Sequence, residues 1–224
     1  MLLQINKKIL VYIFFFILFA TLNNNNFQRF KFGGIDQITI YGLTEGENSE
    51  IQKKLNSILK KNLFFLNEKE IKKHLDTFNI IENYTILKKY PSSLEIRINK
   101  TIFLANVYRD EKIFSLGSNG KLIEINKQKK ELPNIFGKFD KDSFFKLFRD
   151  INDSQFQVSA IKNLYFFKSG RWDIETNSGI LIKLPKNNSK DILDLSFRLL
   201  KKKNSNKIRI LDLRQNNQVI IDAK

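Results

Sequence analysis

The chain has 224 residues, with 39 basic against 23 acidic side chains, a formal net charge of +16 and no cysteine. The missing cysteines exclude disulfides, thiol chemistry and Cys-ligated zinc sites, and they agree with an oxidising compartment. The charge would suit an anionic partner. However, the basic residues are scattered, and abundant Lys, Asn, Ile and Phe with scarce Gly, Pro and Ala give the bias of an AT-rich genome, so no nucleic-acid partner is expected.

Ile9 to Leu22 (ILVYIFFFILFATL) carries no charge, with Lys7 and Lys8 before it and the run Asn23 to Asn26 after it. As a helix it rises about 21 Å, short of a hydrocarbon core of about 30 Å. It lengthens if Ile5 and Asn6 join it and the lysines snorkel to the headgroups. A cleaved signal peptide has the same basic start and apolar stretch, but no small-x-small site follows Phe19-Ala20-Thr21-Leu22. The expectation is an uncleaved transmembrane anchor over 9–22, a cytoplasmic tail over 1–8 and a linker over 23–34. The lysines favour a cytoplasmic N-terminus, with the bulk of the chain on the other face.

Ile35 to Tyr41 alternates apolar and polar residues up to Gly42, the pattern of a half-buried strand. Ser49 is placed to cap a helix over 50–60, with Ile51, Leu55, Ile58 and Leu59 on one face. Leu63-Phe64-Phe65-Leu66 is an apolar connector. Asn67 and Glu70 have capping-box spacing and open a second helix to about Thr77. Ile80 to Lys89 is a strand, Tyr90-Pro91-Ser92-Ser93 a turn, and Leu94 to Ile98 an alternating strand. The rest is mostly strands: Ala105 to Tyr108, Ile113 to Leu116, a type I′ turn signal at Asn119-Gly120, then Lys121 to Ile125. Leu132-Pro133-Asn134 breaks the pattern, and Asp142 is placed to cap a short helix through Arg149. Strands follow at Val158 to Phe167, Arg171 to Glu175 and Ile180 to Leu184. Ser189 starts a helix over 190–203, with Ile192, Leu193, Leu195, Leu199 and Leu200 as its core stripe. Ile208 to Leu213 and Gln218 to Asp222 close the chain, joined by Gln215-Asn216-Asn217. The fold class is α+β: an N-terminal transmembrane helix, a β-α-α-β-β module over 35–104, and a β-rich domain with flanking helices over 105–224.

No catalytic constellation is present in the sequence. His74, the one histidine, sits among lysines on a helix. No phosphate-binding glycine loop, HExxH or nucleophile elbow occurs. Asp140/Asp142 and Asp150/Asp153 fall near helix ends and turns, where capping accounts for them. The phenylalanines and Trp172 fall on inward positions. Arg171 either presents its donors at a surface or pairs within the domain. Neither an enzyme nor a cofactor is expected. The closing strand carries the strongest functional signal. Val219, Ile220 and Ile221 are β-formers in succession, and a terminal strand at a sheet edge exposes unpaired N–H and C=O groups that can accept a partner strand. A strand covered within the domain is the alternative.

The order of features resembles a known family. Ile38-Thr39-Ile40-Tyr41-Gly42, the Leu63–Leu66 connector and Leu87-Lys88-Lys89-Tyr90-Pro91-Ser92-Ser93-Leu94-Glu95-Ile96-Arg97-Ile98 resemble a POTRA module. With the anchor and the following β-rich domain, the chain is similar to the FtsQ/DivIB cell-division proteins. Gly117-Ser118-Asn119-Gly120-Lys121-Leu122, Leu132-Pro133 with Gly137, Arg171-Trp172-Asp173-Ile174, Asn177-Ser178-Gly179-Ile180 with Leu184-Pro185, and Leu211-Asp212-Leu213-Arg214 extend the match. It departs from the family pattern at Asn99-Lys100-Thr101-Ile102 and at Ser118. The resemblance implies a non-enzymatic scaffold of the division complex at the septum, in the inner membrane with its bulk in the periplasm. It implies that the POTRA module contacts other divisome proteins. It also implies that the β domain binds membrane-anchored coiled-coil partners of the FtsB and FtsL type, which add a strand along Gln218, Val219, Ile220, Ile221 and Asp222. Arg171 and Arg214 would then select an acidic partner segment. A POTRA protein of outer-membrane assembly or secretion is the alternative, although the residues left after the module are too few for a large barrel.

Overall fold

The computed structural model describes residues 7–22, 34–109, 111–187, 190–201, 207–215 and 218–223. The chain divides into two compact units, 1–100 and 101–224. Helix α1 (Lys7–Leu22) has 16 residues and rises about 24 Å. Its apolar side chains from Ile9 to Phe19 are all exposed. No helix among the described residues is long and apolar enough to cross a membrane. Nearly all of the expected linker, residues 23–33, lies outside the described residues.

The first unit continues with β1 (Gln37–Tyr41), α2 (Glu45–Leu55), a 3-10 turn at Asn56–Ile58, α3 (Glu68–Leu75), β2 (Ile81–Lys89) and β3 (Ser93–Lys100). Its sheet has the order β1-β3-β2, with β1 parallel and β2 antiparallel to β3. Alternation along the strands puts Ile38, Leu94, Ile96 and Ile98 on one face. Ile51 and Leu55 of α2 and Ile71 and Leu75 of α3 cover that face and complete a buried core. Helix α2 starts earlier than Ser49: Thr44 is its N-cap, and the Glu47 carboxylate accepts the Thr44 N–H at 3.0 Å. Thr-x-x-Glu is a stronger start signal than a lone serine, because it satisfies two otherwise orphaned donors. Asn67 caps α3 as expected, accepting from the Lys69 N–H at 3.0 Å.

The second unit contains β4 (Phe103–Arg109), β5 (Lys112–Gly117), β6 (Leu122–Glu124), β7 (Asn134–Phe136), α4 (Lys141–Asp153), β8 (Ile161–Phe166), β9 (Trp172–Thr176), β10 (Leu181–Lys183), α5 (Lys190–Leu200), β11 (Ile208–Asp212) and β12 (Ile220–Ala223). They form one nine-stranded sheet in the order β12-β11-β10-β9-β8-β7-β4-β5-β6. Helices α4 and α5 pack on one face. Phe144, Leu147 and Ile151 of α4 and Leu193 of α5 join Val107, Ile135, Leu164, Trp172, Ile174, Ile182 and Leu211 in a single core.

Three sequence expectations change here. The Leu132-Pro133-Asn134 break leads directly into β7, which pairs in parallel with both β4 and β8 and joins the two halves of the sheet. Three residues are too few to show alternation, and tertiary pairing makes the strand. Asn119-Gly120 does not form a type I′ turn. Gly120 has φ +71°, whereas Asn119 is not among the positive-φ residues, and the Gly120 N–H donates to the Gly117 carbonyl at 2.9 Å. Ser118 and Asn119 are therefore the central residues, with Gly120 as the left-handed residue that follows. Asp140 rather than Asp142 caps α4, its Oδ1 accepting the Ser143 N–H at 2.7 Å. Ser189, the expected cap of α5, lies outside the described residues.

The sheet face opposite the helices carries two cross-strand ladders. Asn106, Asn134 and Asn163 stand in register on β4, β7 and β8. The Asn106 amide donates to Asn134 at 3.2 Å, Asn134 to Asn163 at 3.0 Å, and Asn163 to Glu175 at 2.9 Å. Tyr108, Phe136 and Tyr165 stack alongside at 5.7 and 5.3 Å. The Tyr165 hydroxyl donates to Glu175 at 2.6 Å. That bond, together with the Asn163 amide, holds the Glu175 carboxyl below its ordinary pKa.

Candidate functional site

The register of β10, β11 and β12 fixes which groups the sheet leaves exposed. Lys183 of β10 is opposite Asp212 of β11, and Asp212 is opposite Ile220 of β12. The Leu213 N–H donates to the Lys183 carbonyl at 2.9 Å, so the main chains of Leu211 and Leu213 turn toward β10. The main chains of Ile210 and Asp212 therefore turn toward β12. Antiparallel alternation then makes Asp212 and Ile220 a hydrogen-bonded pair and turns the N–H and C=O of Ile221 away from the sheet. β12 ends the strand order, so these outward groups form an open edge among the described residues. Its side chains are also exposed, Ile220 at 49% and Ile221 at 47%. Gln218 and Val219 lead into the strand rather than belonging to it.

A charged row crosses the same end of the sheet. Asp173, Lys183 and Asp212 are in register on β9, β10 and β11, and each carboxylate holds one of the expected arginines. Arg214 donates from Nε to both Asp212 oxygens at 2.8 and 3.0 Å, and from Nη2 at 2.6 Å. These bonds hold the Asp212 carboxyl below its ordinary pKa. Arg171 is paired within the domain: its Nε is 3.4 Å from Asp173 Oδ1, and its guanidinium lies 4.2 Å over the Phe167 ring. Burial pushes the Asp173 carboxyl above its ordinary pKa, against the pull of Arg171, Lys183 and Arg214. The two arginines thus belong to one row that runs inward from the edge, Arg214 held at β11 next to β12 and Arg171 held at β9, three strands from it, each fixed by its own carboxylate.

Sequence reasoning missed the floor beside the edge. Pro185, Ile192, Leu195, Leu213, Gln215, Gln218 and Val219 line an open groove of about 540 Å3. Ile192 and Leu195 belong to the expected core stripe of α5, yet both are only half-buried. Both pack against the core without being fully covered by it, and helical periodicity cannot show how far that cover reaches. Among the described residues, no group of three or more His, Asp or Glu side chains could hold a metal ion.

Comparison with known proteins accords with this architecture. The family model described as POTRA domain, FtsQ-type, matches residues 34–100. The model described as Cell division protein FtsQ/DivIB, C-terminal, matches residues 105–214. The chain belongs to the FtsQ/DivIB family. The first module is thus a POTRA domain in a mixed α+β, β-rich chain, as its residues suggest. Arg171 and Arg214 fall inside the matched span, while Gln218 to Asp222 lie beyond it. A solved structure, the major extracytoplasmic domain of the trans isomer of the bacterial cell division protein DivIB from Geobacillus stearothermophilus, is 16% identical with a TM-score of 0.33. That match covers 43% of this chain and 85% of that one. A search of curated proteins found no match.

Proposed function

We propose that this member of a cell-division family is a non-enzymatic, bitopic scaffold that links partner proteins at the septum through its periplasmic domains. The observation that carries the reading is the open edge of β12, with the main chain of Ile221 turned outward beside an apolar groove. A partner of the FtsB and FtsL type, with an acidic segment, adds a strand along Gln218 to Asp222. Main-chain pairing supplies affinity, and the groove receives every second side chain. Arg171 and Arg214 select for acidic residues in that segment. The POTRA module contacts other divisome proteins.

Helix α1 is the inner-membrane anchor in this reading. It is apolar all round and leaves its apolar side chains exposed, which suits lipid as its solvent. Its rise of about 24 Å falls short of an average core, so Lys7 and Lys8 snorkel and the bilayer thins locally. The N-terminus is cytoplasmic. The anchor raises the local concentration of partners that carry their own membrane helices.

The test is a pull-down of the species' own FtsB-like protein by the full chain and by a chain lacking 218–224. Loss of capture by the shortened chain, with an unchanged circular dichroism spectrum, is expected. Equal capture would refute the edge as the binding site. Depletion in cells should yield filaments that grow without dividing.

A further inference from the structure

The POTRA module carries an exposed aromatic tip at the point where the tether enters it. Leu63 and Leu66 are buried at 0% and 6%, while the two residues between them point outward. Phe65 is 86% exposed, more than any other large apolar side chain among the described residues. Phe64 is 51% exposed and lies 4.7 Å from the ring of Tyr90, itself 57% exposed. The Asn62 side chain accepts the Phe64 N–H at 2.9 Å and fixes the turn that projects both rings. Lys60 and Lys61 precede the tip, and both are exposed. Lys61 is ion-paired with Glu70. The Lys88 ammonium donates to the Leu66 carbonyl at 2.9 Å, at the other side of the tip.

The chain's connectivity keeps this tip within reach of α1. Gly34 bridges to Asn62, the Ile35 N–H donates to the Lys61 carbonyl at 2.9 Å, and the Lys60 N–H donates to the Ile35 carbonyl at 3.0 Å. The first described residues after the tether are thus bonded to the segment that carries Phe64 and Phe65. Residues 23–33 separate this point from the end of α1, and such a stretch reaches at most about 40 Å. Exposed aromatic rings ringed by lysines are the side chains that settle at an anionic lipid–water boundary.

We infer that the Phe64–Phe65 tip, with Lys60, Lys61 and Lys88, docks on the anionic headgroups of the membrane that holds α1 and seats the POTRA module against the bilayer, a proposal that rests on the reading of α1 as the anchor. The rings enter the headgroup–acyl boundary, and the ammonium groups meet lipid phosphates.

The test uses the full chain reconstituted in vesicles of phosphatidylglycerol and phosphatidylethanolamine whose acyl chains are brominated near the glycerol backbone. Phe65→Trp places a reporter at the tip. Tyr41→Trp places one about 20 Å away along β1, counted from Ile35. Both side chains are exposed, so both variants keep the fold, and buried Trp172 gives a common background. The Phe65→Trp emission should shift to the blue and lose intensity to the bromines, while Tyr41→Trp stays unquenched. Replacing phosphatidylglycerol with phosphatidylcholine should weaken the effect, and equal quenching in the two would overturn the anionic-headgroup assignment. Flotation of the protein with the vesicles, with Phe65→Trp unquenched, would overturn the docking alone. Failure to float would overturn the anchor and the docking together.

Discussion

Replacing Ile221 with proline should weaken partner addition while leaving the domain folded, whereas replacing Ile220 should loosen β12 from its own sheet. The register turns the Ile221 N–H outward and the Ile220 N–H toward Asp212. Proline at 221 therefore removes one donor from the open edge, about 1 kcal/mol of a main-chain hydrogen bond, and its ring obstructs the incoming strand. Proline is tolerated on an edge where its missing N–H would face solvent. Together these effects predict at least about tenfold weaker binding, with a melting temperature changed by no more than a few degrees. Proline at 220 removes the ladder hydrogen bond to β11 and leaves its acceptor unpaired, a cost of about 1–3 kcal/mol that lowers the melting temperature by roughly 4–10 °C at this domain size. The assay is a titration of the FtsB-like ectodomain against each full-length variant, read beside a thermal melt. Undiminished affinity of Ile221→Pro would refute strand addition at this edge. A melt of Ile220→Pro equal to the parent would refute the assigned register.

Trp172, the chain's one tryptophan, is 2% exposed, and its Nε1 donates to Ser143 Oγ at 2.7 Å. Trp172→Phe should destabilise the second unit by about 2–3 kcal/mol, through lost volume and an orphaned hydroxyl, measured by urea unfolding followed by circular dichroism. Gly42 has φ +103°, and a Cβ there would lie 1.8 Å from the Ile98 carbonyl oxygen. Gly42→Ala should destabilise the POTRA module by more than about 2 kcal/mol and leave the Trp172 fluorescence transition of the second unit in place. The Asp212 pKa is depressed by Arg214. Its contribution is therefore present above the unfolded-state value and lost as pH falls through the folded-state value. Asp212→Asn should cost about 1 kcal/mol at neutral pH, given the partly exposed Arg214, and should flatten the acid limb of stability measured by urea titration. Asp173 acts in the opposite sense. Its raised pKa makes its penalty greatest at neutral pH, relieved as pH falls through the raised value.

Local patterns recorded in the sequence carried most of the first unit. Ile38, Ile40, Leu94, Ile96 and Ile98 alternate because one face of their sheet is buried, and Ile71 and Leu75 repeat at helical spacing for the same reason. Asn67 was readable as a cap because its hydrogen bond spans two residues. Thr44 and Glu47 were equally local, and the lone Ser49 was a weaker signal than their pair. β7 left no such record. Its place in the sheet depends on partners distant in the chain, Val107 and Leu164, and Pro133 before it suggested only a break.

The closing strand shows the same division. Val219, Ile220 and Ile221 marked a strand by composition, and the Leu211-Asp212-Leu213-Arg214 motif located it in a family pattern. Whether that strand was covered or open depended on the nine-strand order, a long-range property that no window of residues contains. Which of its amides faces outward depended on the Leu213–Lys183 bond two strands away. Arg171 and Arg214 were legible as cations, but the cross-strand row of Asp173, Lys183 and Asp212 exists only once three strands are in register. Similarly, Leu63-Phe64-Phe65-Leu66 read as a uniform apolar connector. The tertiary structure buries its ends and exposes its middle, because only Leu63 and Leu66 meet the POTRA core. The sequence by itself determined the elements, the module order and the family, since these follow from short-range periodicity and ordered motifs. Tertiary structure decided which surfaces remain free to bind, because exposure is set by what the rest of the chain covers.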